Sequence, residues 1–482
     1  MTLVTSSLVI SSGIVTVEPV LSLLRNTQAA DTDMLIKTLS LVRPGPSGSG
    51  MKKRFIARHL GREPVEYLHP ALERVLGDTC GVMLYQEDIL KVANVIAGMD
   101  LAEGDLLRRA MTKKRSPREM AKSMKTFIEK AVANGIAEAV AEEIWGLIAN
   151  FAAYSYCKAH AATYGEIAYQ CTYLKAHFPA EFMACVLSNR GGFYHPAVYV
   201  EEARRLGIEV RPPDINKSRC EYVAEGDAIR VGFVEVRQLA QDTVEAILAG
   251  RANRPFESLA DVWARAGITR PEAEALLQAG AFDAFGRTRP ALFWELHLLS
   301  QGGHGETPAG ADRLFREHGG EYRTVPRLPD VSRKKRTDQE WEALGLVVST
   351  HPLEYYASLF QERALVSSAD LPRYVDRVVM LVGWLIAERR VGLKGRGCMK
   401  FCTFEDPKGV FEGVLFPETY QRYGRLLDSH GPYFVLGRVQ NDDDYCSLIV
   451  EELERVDATP KSPGASDITP PKHWIFPGAR EE

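Results

Sequence analysis

With 482 residues the chain is too long for one ordinary core, and about three or four domains are expected. An apolar share of 45% and a charged share of 25% are those of an ordinary soluble globular protein. The net charge of −4 gives no overall attraction to a polyanion, so any basic surface must be local.

The opening stretch MTLVTSSLVISSGIVTVEPVLSLL is apolar, but it carries Glu18 and Pro19 and has no basic residue before Arg25. It reads as neither a signal peptide nor a membrane span. The eight cysteines stand singly, with no C-x-x-C pair. That pattern points away from structural zinc and toward a reduced, cytoplasmic setting. Residues 40–50, SLVRPGPSGSG, form a turn-rich close to a first short piece.

From about 51 to 190 the periodicity is helical. SPREMAKSMKTFIEKAVANGI places Met120, Met124, Phe127, Ile128 and Ala131 on one face, with Asn134-Gly135 as a stop. A second helix is expected from Ala137 to Phe151, with Val140, Ile144, Leu147 and Ile148 as its stripe. A third runs up to Phe178, and Pro179 suits the first turn of the next. Further on, IRVGFVEV alternates like a strand, and helices follow at DTVEAILAG, SLADVWARAG and PEAEALLQAGAF. Residues 300–340 look like a flexible connection. Between Val378 and Val456 five short strands, interrupted by the helical PETYQRYGRLL, have the count and order of an OB-fold barrel. The fold class is therefore multidomain α+β, mostly helical at first and ending in a small β-barrel.

Three stretches carry candidate chemistry. Between Leu106 and Lys130 nine basic residues, among them Arg108, Arg109, Lys113, Lys114 and Arg115, face two acidic ones. Such a patch can bind a polyanion by counterion release, and charge alone equally fits a solvated helix face. In AAYSYCKAHAATYG, Lys158 and His160 fall at a helix start, where free amides and positive potential suit a triphosphate. Tyr154, Tyr156 and Tyr164 offer rings for stacking on a base or sugar. Interhelical packing with a snorkelling lysine is the competing reading. The third stretch, VRPGP, holds Arg43 on a rigid extended segment that can aim its guanidinium at phosphate. YQED (Tyr85 to Asp88) is a fourth, weaker motif, and GLKGRG reads as a barrel loop rather than a phosphate loop. Nucleotidyl transfer needs clustered carboxylates for magnesium, and the first 50 residues offer only Glu18, Asp31 and Asp33. NDDDY, from Asn441, reads as solvated charge in a hairpin turn.

Taken in order, LSLVRPGPSGSGM, GREPVEYLHPALERVLGDTCGVMLYQEDIL, GDLLRRAMTKKR and FAAYSYCKAHAATYGEIAYQCTYLKAHFPAEFMA resemble the bacterial replicative DNA polymerase III alpha subunit. The resemblance implies a palm remnant and linker over 1–50, fingers over 51–190 and a helix-hairpin-helix region over 191–295. A linker and helical connection over 296–370, an OB domain over 371–456 and a tail over 457–482 would follow. It implies nucleotide contacts from Arg43, Lys158, His160, Tyr154, Tyr156 and Tyr164. DNA contacts would come from Arg108, Arg109, Lys113, Lys114, Arg115 and Gly280, and the barrel would touch single-stranded template. Leu314 and Phe315, in GADRLF, fall where the family carries its sliding-clamp peptide.

The chain also departs from the family pattern. The last palm strand, which usually reads G-x-F-Q-x-E-S, is GIVTVEP here, and the catalytic aspartates are expected on a palm-containing partner chain, with magnesium bound only there. Cys157-Lys158-Ala159-His160 stands where Asn-Lys-Ser-His is usual, removing one possible helix cap. RQLAQD (Arg237 to Asp242) replaces a Gly-Val-Gly-type turn, which puts its amide-to-phosphate contact in question. The expected function is primer–template and deoxynucleotide binding in DNA synthesis. The alternative is a non-catalytic DNA-binding accessory protein that keeps the same surfaces.

Overall fold

The computed structural model describes residues 23–41, 50–112, 117–152, 157–301, 325–360, 363–393, 397–442 and 445–456, without the side chains of 110–119, 152 and 442. Arg43, Lys113, Lys114, Arg115, Tyr154, Tyr156, Leu314 and Phe315 lie outside these described residues. The chain divides into two compact units, the first running to His177 and the second starting at Phe178.

The longer helices described in the first unit are α1 (Thr32–Leu41), α2 (Met51–His59), α3 (Gln86–Ala97), α4 (Leu101–Thr112), α5 (Pro117–Ala133), α6 (Glu138–Ala152) and α7 (Lys158–His177). The expected face of α5 is the buried one: Phe127 and Ala131 sit in the core, and Met120, Met124 and Ile128 pack against it. Gly135 takes a φ of 89°, and the Asn134 side-chain amide donates to the carbonyl of Ile96 at 3.0 Å, so one Asn-Gly pair closes two helices. On α6, Ile144 and Ile148 are buried as expected, but Leu147 is 37% exposed. It lies roughly a quarter-turn round the helix from the face made by Ala141, Ile144, Trp145 and Ile148.

α7 buries a narrow face of small residues, Ala161, Gly165, Ala168 and Thr172. A β-carbon on Gly165 would stand 2.5 Å from Ile36 Cγ1, so the small face lets α1 approach closely. This accounts for the shortage of bulky aliphatics in that stretch. Much of the remaining helix surface carries rings, among them His160, Tyr169, Tyr173 and His177.

The second unit opens with α8 (Pro179–Ser188) and α9 (Pro196–Arg205). α8 buries Ala180, Met183, Ala184 and Leu187, and Ser188 Oγ reaches the carbonyl of Tyr222 at 3.4 Å. Hence the compact unit begins before position 190. β1 (Glu209–Arg211), β2 (Val223–Glu225) and β3 (Ala228–Arg230) form a small sheet in the order β1-β3-β2. IRVGFVEV is only partly a strand: Phe233–Glu235 is a turn of 3-10 helix. A β-carbon on Gly232 would lie 2.3 Å from the Glu221 carbonyl carbon, and Phe233 N–H donates to Arg219 O at 2.9 Å, so local contacts with 219–221 override the alternation.

α10 (Gln241–Arg251), α11 (Leu259–Ala266), α12 (Arg270–Ala279) and α13 (Arg289–Gln301) follow. Part of the expected flexible connection is helical, as α14 (Arg333–Leu344), capped by the Ser332 hydroxyl. The last strands, β4 (Val378–Leu393), β5 (Gly397–Asp406), β6 (Gly409–Leu415), β7 (Tyr433–Asp442) and β8 (Tyr445–Arg455), close into a barrel in the order β4-β5-β6-β8-β7. α15 (Pro417–Tyr423) is the expected interruption. β4 serves two neighbours: Val378 to Gly383 pair with β7, and Trp384 to Leu393 pair with β5. Phe404, Phe411 and Tyr433 fill the interior, as the OB-like class requires.

Candidate nucleic-acid interface

The weak YQED motif proves to be the centre of the first unit's candidate site. Asp88 closes the start of its own helix α3, accepting from the amides of Leu84 at 3.0 Å and Tyr85 at 2.9 Å. Burial pushes its carboxyl above the usual range, partly offset by those two donors. Gln86 Oε1 accepts from Arg108 Nη1 at 3.0 Å. Glu87 reaches the start of α7: Oε2 accepts from the Lys158 amide at 3.0 Å and Oε1 from Cys157 Sγ at 3.3 Å. The Lys158 ammonium lies 5.1 Å from the centroid of the buried Tyr85 ring. Burial, followed by the charges of Asp33, Asp88 and Asp78, raises the Tyr85 hydroxyl far above its ordinary value.

His160 and Tyr164 meet edge-on, with centroids 4.4 Å apart, on the first exposed turns of α7. A second ring pair, Tyr173 with His177 at 4.3 Å, continues the exposed surface, together with Ile167, Tyr169 and Leu174. Tyr169, Tyr173 and His177 were not among the candidate residues read from the sequence. Their i, i+4 spacing opposite a small-residue face was the available signal.

Beneath this surface, Lys37 is buried and paired with Asp33 at 2.6 Å and Asp78 at 2.9 Å. Burial opposes its charge, but bonds to the two carboxylates outweigh it and raise its pKa. Lys37, first by its hydrogen bond, pulls Asp78 down, and Lys158 adds to that by its charge. Asp31 accepts from the Met34 amide at 2.8 Å. The acidic residues near position 31 thus serve helix capping and this ion pair.

The described part of the basic patch is partly neutralised. Arg108 Nη2 lies 2.8 Å from Asp105 Oδ1, Arg109 Nε lies 2.6 Å from Asp105 Oδ2, and Lys130 pairs with Glu103. Both acids sit just before the window counted from Leu106, so the patch carries less excess charge than that count implied. The Arg109 side chain remains 66% exposed.

In the second unit, Glu272 ties the two helix starts of the hairpin region together. It accepts from Thr269 N at 2.9 Å, Thr269 Oγ1 at 2.6 Å, Ala240 N at 3.2 Å and Thr243 Oγ1 at 2.6 Å. Burial would raise its carboxyl, and these donors together pull it below its ordinary value. The Ala240 amide of RQLAQD is therefore bound internally. Gly280, with φ +90°, closes α12, and its amide donates to Leu277 O at 3.1 Å.

Among the described residues, no group of three or more His, Cys, Asp or Glu could hold a metal ion. These residues do not fit a magnesium site. No described helix is long and apolar enough to cross a membrane.

The described elements are thus a set of packed helices in the first unit and, in the second, a helical hairpin region and a five-stranded OB-like barrel. Residues 15–135 match the bacterial DNA polymerase III alpha subunit finger domain, and residues 207–292 match a helix-hairpin-helix motif. An error-prone DNA polymerase of Symbiobacterium thermophilum is 33% identical over 88% of this chain and 43% of its own length. The DNA polymerase III subunit alpha of Haemophilus influenzae is 34% identical over 90% of this chain and 39% of its own. That of Mycobacterium tuberculosis is 33% identical over 90% and 38%. Asparaginyl-tRNA synthetase from Pyrococcus horikoshii covers 21% of this chain and 24% of its own at 24% identity and a TM-score of 0.17, too slight a likeness to support any inference. The chain is a DNA polymerase III alpha-like protein, and it spans less than half the length of these curated relatives.

Proposed function

We propose that this chain binds primer–template DNA and an incoming deoxynucleoside triphosphate during DNA synthesis. One observation carries the reading: α7 begins with an ammonium set over a buried ring and presents exposed His160 against half-buried Tyr164 on the turns beside it. An ammonium at a helix start suits triphosphate oxygens, and adjacent rings suit a sugar or base. Gln86, the neighbour of the Glu87 that meets this helix start, accepts from Arg108, which supports a DNA backbone running past the nucleotide. In the same reading Arg43, Tyr154 and Tyr156 add nucleotide contacts, and Arg109, Lys113, Lys114 and Arg115 add phosphate contacts. The barrel meets single-stranded template, and Leu314 with Phe315 engages a sliding clamp. A cytoplasmic location goes with these partners.

Bond formation needs a carboxylate cluster for magnesium, which a palm-containing partner chain supplies in this account. Primer extension with magnesium and nucleotides, run with and without such a partner, tests the proposal. Extension only with the partner, and nucleotide-dependent, supports it. DNA binding with no nucleotide dependence under either condition favours the accessory-protein reading.

A further inference from the structure

We infer that Glu87 is a positioning residue, whose carboxylate fixes the first turn of α7 and so the direction in which Lys158 presents its ammonium. The inference rests on the nucleotide reading of Lys158 above. α7 has no acidic residue in its first turn. It is preceded by Cys157, whose thiol is a weak hydrogen-bonding group, and Ala159 offers no hydroxyl. The missing acceptor comes from 71 residues away: Glu87 takes the Lys158 amide on one oxygen at 3.0 Å and the Cys157 thiol on the other at 3.3 Å. A bidentate grip sets both the position and the rotation of the turn.

The same four-residue segment also holds the far end of Lys158. Tyr85 lies under its ammonium at 5.1 Å, so backbone and side chain are gripped by residues two apart in sequence. Gln86, between them, receives Arg108 at 3.0 Å. Tyr85 to Glu87 therefore set the ammonium and a guanidinium of the basic patch in one frame. A carboxylate beside Lys158 reduces the attraction for a triphosphate, so its charge brings no gain in binding one. Its contribution is geometric.

Two variants separate geometry from charge. Glu87→Gln keeps an acceptor for the Lys158 amide and removes the charge, while Glu87→Ala removes both. In the full chain without ligand, hydrogen exchange of the amides at 158–161 should quicken about tenfold in Glu87→Ala and stay near wild type in Glu87→Gln. Inorganic tripolyphosphate should slow acylation of the Lys158 amine, and the concentration needed should be about tenfold higher in Glu87→Ala than in Glu87→Gln. Equal exchange in both variants, or tripolyphosphate binding at least as tight in Glu87→Ala as in Glu87→Gln, overturns the inference. If tripolyphosphate leaves wild-type Lys158 unprotected, the nucleotide reading fails instead, and the exchange measurement still decides whether Glu87 holds the turn.

Discussion

Replacing Gly280 by alanine tests the packing of the hairpin region. Gly280 has a φ of +90°, and a β-carbon there would stand 2.6 Å from Arg289 Nη2 and 3.1 Å from Asp283 Oδ2. A left-handed alanine costs roughly 1–2 kcal/mol by itself. The Arg289 side chain is only 1% exposed and forks onto both Asp283 oxygens, at 3.1 and 2.9 Å, while donating to Gln278 O at 2.8 Å. Hydrogen bonds to charged groups contribute about 1.5–3 kcal/mol, and displacing the guanidinium forfeits at least one. The sum is about 2.5–5 kcal/mol, or a Tm loss for the second unit of roughly 5–20 °C. Gly267 supplies the control, since its φ is +62° and a β-carbon would meet nothing within 4 Å. Gly267→Ala should cost only the backbone share of about 1–2 kcal/mol. Calorimetry of the full chain, with hydrogen exchange over 270–292 to localise the effect, gives both values. Equal losses for the two variants would refute the claim that Gly280 exists to make room for Arg289.

Changing Arg108, Lys113 and Lys114 together to glutamate should weaken DNA binding alike across sequences and flatten the plot of log affinity against log salt; an unchanged slope would mark the patch as a solvated face. Burial pushes Glu405 up to about 8 against the pull of Arg205, whose Nη1 donates to it at 2.9 Å, and Glu201 nearby is pushed up to about 7. Folding therefore favours the protonated carboxyls, so their contribution to stability is fully present below the ordinary glutamate value and is lost as pH rises through about 8. Urea midpoints should show that slope in the wild type and a flatter one in Glu405→Gln; identical slopes would mean that Glu405 ionises freely when folded.

Much of the fold was legible because local pattern and tertiary packing agree. The apolar stripe at Phe127 and Ala131, the Asn134-Gly135 stop, Pro179 at a helix start and the five barrel strands each follow from spacing and cap chemistry. Where they disagree, long-range contacts decide. Gly232 abandons the strand pattern for the backbone at 220–221, and Leu147 gives way to Trp145 as the buried residue of its turn. The candidate site was legible only in part. Lys158, His160 and Tyr164 could be read from one stretch, but Glu87 meets Lys158 across 71 residues and Lys37 meets Asp78 across 41, which no local periodicity records. Asp105 escaped notice for a simpler reason, since the charge window opened one residue after it.

The most direct test of the account is nucleotide dependence of primer extension by Lys158→Ala, with the palm-containing partner present. Lys158 contributes a half-buried cation to a ring face, so its loss should leave Tm nearly unchanged. The nucleotide concentration for half-maximal extension should rise about tenfold, the loss of one charge-assisted contact. A variant with wild-type nucleotide dependence and a lowered Tm would contradict the account and make the start of α7 a packing joint.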